Sequence, residues 1–184
     1  MKITLASASP RRRRLIRRID GLEVSIVPSG ADEHVEASCP EELVKKLALK
    51  KAETVFSDTG GIVVGADTVV VADGRVLGKP GDAEEARSFF RMLCGRTHEV
   101  ITGLAVTDGV RSVTASETTS VTFLDYDDAV IEEYIAAGHP FDKAGGYGIQ
   151  DAELKPLIAK IEGDEDNVIG LPVNLLRTIL EENF

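Results

Sequence analysis

The sequence predicts an α/β protein with a mixed central sheet and flanking helices, and two patterns carry that expectation. Segments with apolar residues at helical spacing alternate with β-branched runs, as in proteins whose helices connect the strands of one sheet. Two of those runs also double back at Asp73-Gly74 and Asp108-Gly109, residue pairs suited to tight hairpins, which argues against a purely parallel doubly wound sheet. No internal repeat, low-complexity stretch or linker interrupts the 184 residues, so the chain reads as a single domain over 1–184.

Each element has a local cause. Lys2 to Ala6 alternate and branch like a strand, Ser9 offers an N-cap, Pro10 suits a first helical turn, and Leu15, Ile16 and Ile19 repeat at helical spacing until Gly21. "LEVSIVPSG" follows as a second strand, then a loop with Asp32 and Glu33. Ser38 and Glu41 have capping-box spacing ahead of a long helix whose apolar stripe is Leu43, Val44, Leu47, Ala48, Ala52 and Val55. "GIVVGADTVVVADG" is a nearly continuous apolar run, typical of a buried strand, with a short partner ending at "VLGKP". Asp82 and Glu85 cap a helix through Phe89, Phe90 and Leu93, and a long hairpin then surrounds Asp108-Gly109. A helix over 127–137, the glycine-rich "HPFDKAGGYGIQ", a strand at "PLIAKI" and a helix over 172–180 complete the chain.

Four consecutive arginines, Arg11 to Arg14, stand at the N-terminus of the first helix. That end of a helix already carries a partial positive charge, so cations there are unfavourable by roughly several tenths of a kcal/mol each unless an anion is bound. Free backbone N–H groups at the same end suit a phosphate; a solvated basic face is the alternative. The formal net charge of −10 argues against sequence-independent nucleic-acid binding and makes the basic cluster local, a pocket for a small polyanion. With 43% hydrophobic and 28% charged residues the composition is that of a soluble globular protein. Neither a membrane span nor a secretory signal is legible, so the expected location is the cytoplasm. Cys39 and Cys94 have no metal-ligand spacing and suggest no disulfide framework.

Several polar residues fall where apolar ones belong. Asp67 lies inside "IVVGADTVVV", where a carboxylate is costly unless paired, hydrogen-bonded or bound to a metal; the alternative is a strand end with a bulge. Gly65 beside it permits a close approach of ligand or backbone. Lys51 falls within the helical arc of Leu47, Val44 and Val55, so its ammonium points inward or snorkels out to water. Lys79 in "LGKP" and Lys143 in "KAGGYG" adjoin glycines that would admit phosphates, although loop lysines are commonly just solvated. Cations for several phosphates, with Glu33 and Asp67 as oxygen ligands for Mg²⁺ or Mn²⁺, make a site for nucleoside triphosphate hydrolysis.

The ordered segments "LASASPRR", Asp32-Glu33, "LALKKA", "GADTVV", "GKP", His98 with Thr102-Gly103, "DKAGGYGIQ" and "NVIGLP" resemble those of the Maf family, proteins named for septum formation and understood as nucleoside triphosphate pyrophosphatases. The resemblance implies an elongated, two-lobed fold with a central cleft, shared with inosine triphosphate pyrophosphatases, and hydrolysis between the α and β phosphates. It implies Asp67 as catalytic base and Glu33 as metal or water partner, with Mg, Mn or Co as the divalent metal. Ser7, Arg12, Lys51 and Lys79 would handle phosphates, with Lys143 also on the substrate, and Arg11, Thr68 and Gln150 would select the base. "GYGIQ" is similar to the subgroup acting on dTTP and UTP, and an amide such as Gln150 suits the carbonyl and imide edge of those bases. After Gln150 the chain departs from the family pattern with "DAELKP". An ITP/XTP-type purine pyrophosphatase, and a nucleotide-binding division regulator without turnover, are the alternative readings. The expected partner is a nucleoside triphosphate, with no nucleic acid and no membrane, and a homodimer is an open option.

Overall fold

The computed structural model describes residues 1–184 and contains seven strands and six α-helices. In chain order these are β1 (Lys2–Leu5), α1 (Pro10–Ile16), β2 (Glu23–Ile26), α2 (Pro40–Thr59), β3 (Ile62–Ala72), β4 (Arg75–Leu77), α3 (Ala83–Leu93), β5 (Thr97–Thr107), β6 (Ser112–Phe123), α4 (Asp128–Ala136), β7 (Ile158–Glu162), α5 (Glu165–Ile169) and α6 (Val173–Asn183). The sheet runs β2-β1-β3-β5-β6-β7, with β4 paired to β3. It is mixed, as expected: β1 is parallel to β2 and to β3, whereas β3 with β4 and β6 with β7 are antiparallel. No helix is long and apolar enough to cross a membrane.

The chain forms two compact units that interleave in sequence. Unit 1 comprises Met1–Thr68, Thr102–Glu117 and Gly170–Phe184; unit 2 comprises Val69–Ile101 and Thr118–Ile169. β3, β5 and β6 are each long enough to contribute residues to both.

In unit 1 the contact between α2 and the sheet is made by small residues. Ala6, Ala48, Ala52, Val55, Val63 and Ala105 form a buried cluster in which α2 meets the sheet. Glycines make the approach closer still. A Cβ on Gly65 of β3 would overlap the Ala48 carbonyl oxygen of α2, and one on Gly103 of β5 would overlap the Val44 carbonyl and lie 2.7 Å from Lys45 N. Helix backbone therefore rests on strand backbone, where ridges of large side chains would hold the two layers about 10 Å apart.

Unit 2 has a core rich in aromatic rings, with Phe90, Leu93, Val121, Phe123, Ile131, Tyr134 and Leu154 almost wholly buried. Its aromatic rings meet edge to face, Phe90 with Tyr134 at 5.9 Å and Phe123 with Tyr147 at 4.8 Å between centroids. Such pairs add about 0.5 to 1.5 kcal/mol each beyond the area they bury.

Local signals hold at some boundaries and shift at others. Ser9 caps α1 through its hydroxyl, which accepts from Arg12 N. The helix is only seven residues long and continues as tighter turns, with Arg18 N bonding Leu15 O and Ile19 N bonding Ile16 O. The Ser38/Glu41 capping box does not form. Pro40, with its fixed φ, takes the first helical turn and moves the N-cap to Cys39, while Ser38 N and Oγ donate to Glu42 Oε2 at 2.7 and 2.6 Å. Asp73 and Gly74 both have positive φ, the backbone that a two-residue hairpin turn between β3 and β4 requires. The short α5 has no counterpart in the sequence reading.

Candidate functional site

Asp67 sits in the middle of β3, so the strand does not end there and the carboxylate is held inside a buried run. Its partner is Lys51 of α2, whose Nζ lies 2.6 Å from Asp67 Oδ1 and 2.7 Å from Glu33 Oε1. The side chains of Lys51 and Asp67 are only 13% and 14% exposed, so the lysine does not snorkel to water; Glu33, at 66%, closes the pair from outside. The Gly65–Ala48 approach positions these residues, because Lys51 is one turn beyond Ala48 and Asp67 two residues beyond Gly65.

The loop bearing Glu33 is tied to the same helix. Lys50 Nζ donates to Asp32 Oδ2 at 3.3 Å and His34 O at 3.2 Å, and Lys46 Nζ donates to Glu36 O at 2.8 Å. The Asp32 carboxyl is held down to about 2, first by its side-chain hydrogen bond with His34 and then by the His34 backbone N–H and Lys50. Three lysines in one turn and a half of α2 thus anchor an acidic loop.

Arg12 forms the other half of the site in unit 1. Its Nε donates to Gly170 O at 2.7 Å and its Nη2 to Thr68 Oγ1 at 2.9 Å, and Thr68 shares a second hydrogen bond with Thr102 at 2.9 Å between hydroxyl oxygens. Gly170, with φ of +120°, leaves room for this arrangement, since a Cβ there would come within 3.3 Å of Thr68 Oγ1. Burial lowers the pKa of Arg12, and Asp67 and Glu33 act in the opposite direction through their charge. Arg11 adds a like charge beside Arg12. Ser7, buried at the end of β1, accepts from Ser9 N at 3.2 Å and thereby shapes the turn into α1.

Unit 1 therefore contains seven of the expected site residues: Ser7, Arg11, Arg12, Glu33, Lys51, Asp67 and Thr68. Lys79, Lys143 and Gln150 belong to unit 2. Lys79 is exposed on the segment after β4, where Gly78 O accepts from Gly145 N at 2.8 Å. Gln150 is half-buried, and its Oε1 is buried without a hydrogen-bond donor.

Lys143 is not the solvated loop lysine that its surroundings in sequence allow. It is buried, and its Nζ donates to His139 O at 2.5 Å and Asp142 Oδ1 at 2.9 Å, with Asp151 Oδ2 at 3.4 Å. An ammonium surrounded by three acceptors is not a solvated loop lysine, and meeting a phosphate would require it to give up one of them. Sequence patterning also assigns no role to Thr102, the Gly170 carbonyl or Asp151. All three act through partners distant in sequence or through main-chain atoms, which carry no residue-type signal.

Glu33 and Asp67 are the carboxylates in this site that could hold a metal ion. No group of three or more His, Cys, Asp or Glu side chains converges to hold an ion. Two carboxylates sharing one ammonium do suit Mg²⁺, which is commonly held by one or two carboxylates with substrate phosphates and water completing its shell. The arrangement combines a shielded carboxylate, a second one open to solvent, and two half-buried cations, which are the parts needed to bind a polyanion and move a proton.

A family model described as Maf-like protein matches residues 2–183. A dTTP/UTP pyrophosphatase of Thermococcus gammatolerans is 44% identical over 182 residues, covering 99% of this chain and 97% of that protein. One of Symbiobacterium thermophilum is 46% identical over 175 residues, covering 94% and 89%. Among solved structures, the Ham1 protein of Staphylococcus aureus superposes with a TM-score of 0.59 at 14% identity over the whole of both chains. A HAM1 protein of Coxiella burnetii gives 0.56 at 14%, covering 99% of each. At that identity the likeness is one of fold.

Proposed function

The chain belongs to the Maf-like family, and from that premise we propose that it hydrolyses dTTP, UTP or modified pyrimidine triphosphates to the nucleoside monophosphate and pyrophosphate. The observation that carries the reading is the Glu33–Lys51–Asp67 cluster beside Arg12, in a chain 44% identical to a dTTP/UTP pyrophosphatase over nearly its full length.

In this reading a water oxygen bonds to the α phosphorus and the bond from that phosphorus to the bridging oxygen breaks. Pyrophosphate leaves with the bond's electron pair, and the proton of the attacking water passes to Asp67. Lys51, on a flexible four-carbon stem, exchanges a carboxylate oxygen for a phosphate oxygen and neutralises the charge that develops there. Arg12, fixed by Gly170 O and Thr68, presents a guanidinium whose orientation is set before substrate arrives. Glu33 and Asp67 would hold a divalent Mg, Mn or Co ion, which when bound supplies further charge neutralisation on the phosphates. Lys79 keeps the phosphate-handling role and Gln150 the base-reading role that the resemblance implies.

The test is pyrophosphate release by purified protein across the common and modified triphosphates with Mg²⁺, Mn²⁺ and Co²⁺. Highest kcat/KM for dTTP and UTP is the expected result. Preference for ITP and XTP, or nucleotide binding without release of pyrophosphate, overturns the proposal.

A further inference from the structure

Thr102 of β5 is fully buried, and its hydroxyl oxygen is 2.9 Å from that of Thr68 on the neighbouring strand β3. Thr68 is half-buried and accepts from Arg12 Nη2 at 2.9 Å. All three residues belong to unit 1, as does Gly170, whose carbonyl accepts from Arg12 Nε at 2.7 Å. A side chain as deep as Thr102 does not meet a substrate, so what it contributes to a reaction passes through Thr68.

Counting hydrogens shows what that contribution is. A guanidinium only donates, so the Thr68 oxygen is the acceptor in its bond with Arg12. Each hydroxyl carries a single hydrogen, and the contact between the two threonines uses one of them. If Thr68 donates to Thr102, its hydrogen is turned into the sheet and a lone pair is left for Arg12. If Thr102 donates instead, the Thr68 oxygen takes two donors and its own hydrogen points away from both. In either arrangement that oxygen is pinned between two partners, and Thr68 keeps the rotamer that aims it at Arg12. The guanidinium is in turn held along one edge, Nε on Gly170 O and Nη2 on Thr68, which leaves the fork of Nη1 and Nη2 to face a phosphate.

We propose that Thr102 is a positioning residue: by fixing the Thr68 hydroxyl it sets the direction of the Arg12 guanidinium against the triphosphate. The inference rests on the reading in which Arg12 meets the substrate's phosphates. Two bonds along one edge define the direction of a planar group, whereas Gly170 O alone leaves it free to swing about Nε. Without the Thr102 hydroxyl the second bond loosens, and the fork spreads over orientations of which few suit in-line attack.

The experiment compares wild type with Thr102→Val, which keeps the volume and removes the hydroxyl, and Thr102→Ser, which keeps the hydroxyl. Thr102→Val is also made in a Thr68→Val background. The readouts are kcat and KM for UTP and the Arg12 Nε–Hε resonance, assigned by its loss in Arg12→Lys. Thr102→Val should lower kcat/KM about tenfold and shift or broaden that resonance, whereas Thr102→Ser should stay within about twofold of wild type. In the Thr68→Val background Thr102→Val should change kcat/KM less than about twofold, because the residue it acts through is gone. If Thr102→Val does not fold, Thr102→Cys makes the same comparisons with a weaker hydrogen-bonding group and an expected loss of about three- to fivefold. An unchanged kcat/KM, a loss just as large without the Thr68 hydroxyl, or a Thr102→Ser protein as impaired as Thr102→Val overturns the proposal. Wild-type protein that releases no pyrophosphate from UTP or dTTP overturns the proposed function instead, and the Arg12 resonance then decides alone whether Thr102 orients the guanidinium.

Discussion

Replacing Gly65 by alanine probes whether main-chain contact between α2 and β3 aligns Lys51 with Asp67. The new Cβ would overlap Ala48 O and come within 3.0 Å of Ala52 N and 3.1 Å of Ala48 C. A close carbon–oxygen contact needs about 3.3 Å, so helix and strand must separate by roughly 1 Å. Overpacking of this kind costs about 1 to 3 kcal/mol, and rigid main-chain obstacles place it at the upper end. The lost flexibility of glycine in the unfolded chain returns about 0.4 to 1 kcal/mol. The net expectation is destabilisation by about 2 kcal/mol, read as a lower urea midpoint by circular dichroism with an unchanged slope. Turnover should fall about a hundredfold at fixed substrate, since a shift near 1 Å spoils the placement of Lys51 against Asp67. Ala48→Gly in the same chain should not restore either quantity, because it removes a methyl group and leaves the carbonyl. A Gly65→Ala protein within about 0.5 kcal/mol of wild type, or one rescued by Ala48→Gly, would refute the backbone-contact argument.

Asp67→Asn should lower kcat at least about a hundredfold while KM changes less than about threefold, since the amide keeps shape but takes no proton; steady-state pyrophosphate release measures both. Lys51→Met keeps the helix but leaves two carboxylates facing each other, so UTP binding should weaken about tenfold or more in calorimetry and the urea midpoint should drop by the equivalent of about 1 to 3 kcal/mol. His98 is pushed down to about 4 by burial, so the unfolded chain, where the ring titrates near 6.5, binds the proton more readily. Its contribution is therefore complete above about pH 6.5 and is lost as pH falls towards 4, up to about 3 kcal/mol in all. His98→Gln, which still can bond Tyr147 Oη, should show a smaller loss of stability than wild type between pH 7 and 5 in urea titrations.

The parts of the site legible from sequence are those where a local period exposes an anomaly. A continuous apolar run makes Asp67 conspicuous among valines, and the helical angle puts Lys51 on an apolar face; the two residues prove to be each other's partner. Ser9 and the Asp73-Gly74 turn are legible because caps and hairpins are decided by the residues that form them. Lys143 is the converse case. Its neighbouring glycines suggest phosphate, whereas its acceptors include Asp151, eight residues on, and a main-chain carbonyl, neither visible in a motif. The Ser38/Glu41 box fails because Pro40, a stronger determinant of where a helix begins, lies between them.

The bond from Arg12 to the Gly170 carbonyl spans 158 residues. Unit 1 takes its last segment, Gly170–Phe184, from the very end of the chain. During synthesis the first helix must therefore wait until residue 170 has left the ribosome before its guanidinium finds that acceptor. Nascent or prematurely terminated chains that stop short of residue 170 carry Lys51 and Asp67 yet lack one of the two groups that orient Arg12. A chain that stops there can acquire the carboxylates and the lysine, while its arginine has Thr68 but no carbonyl to hold the Nε edge.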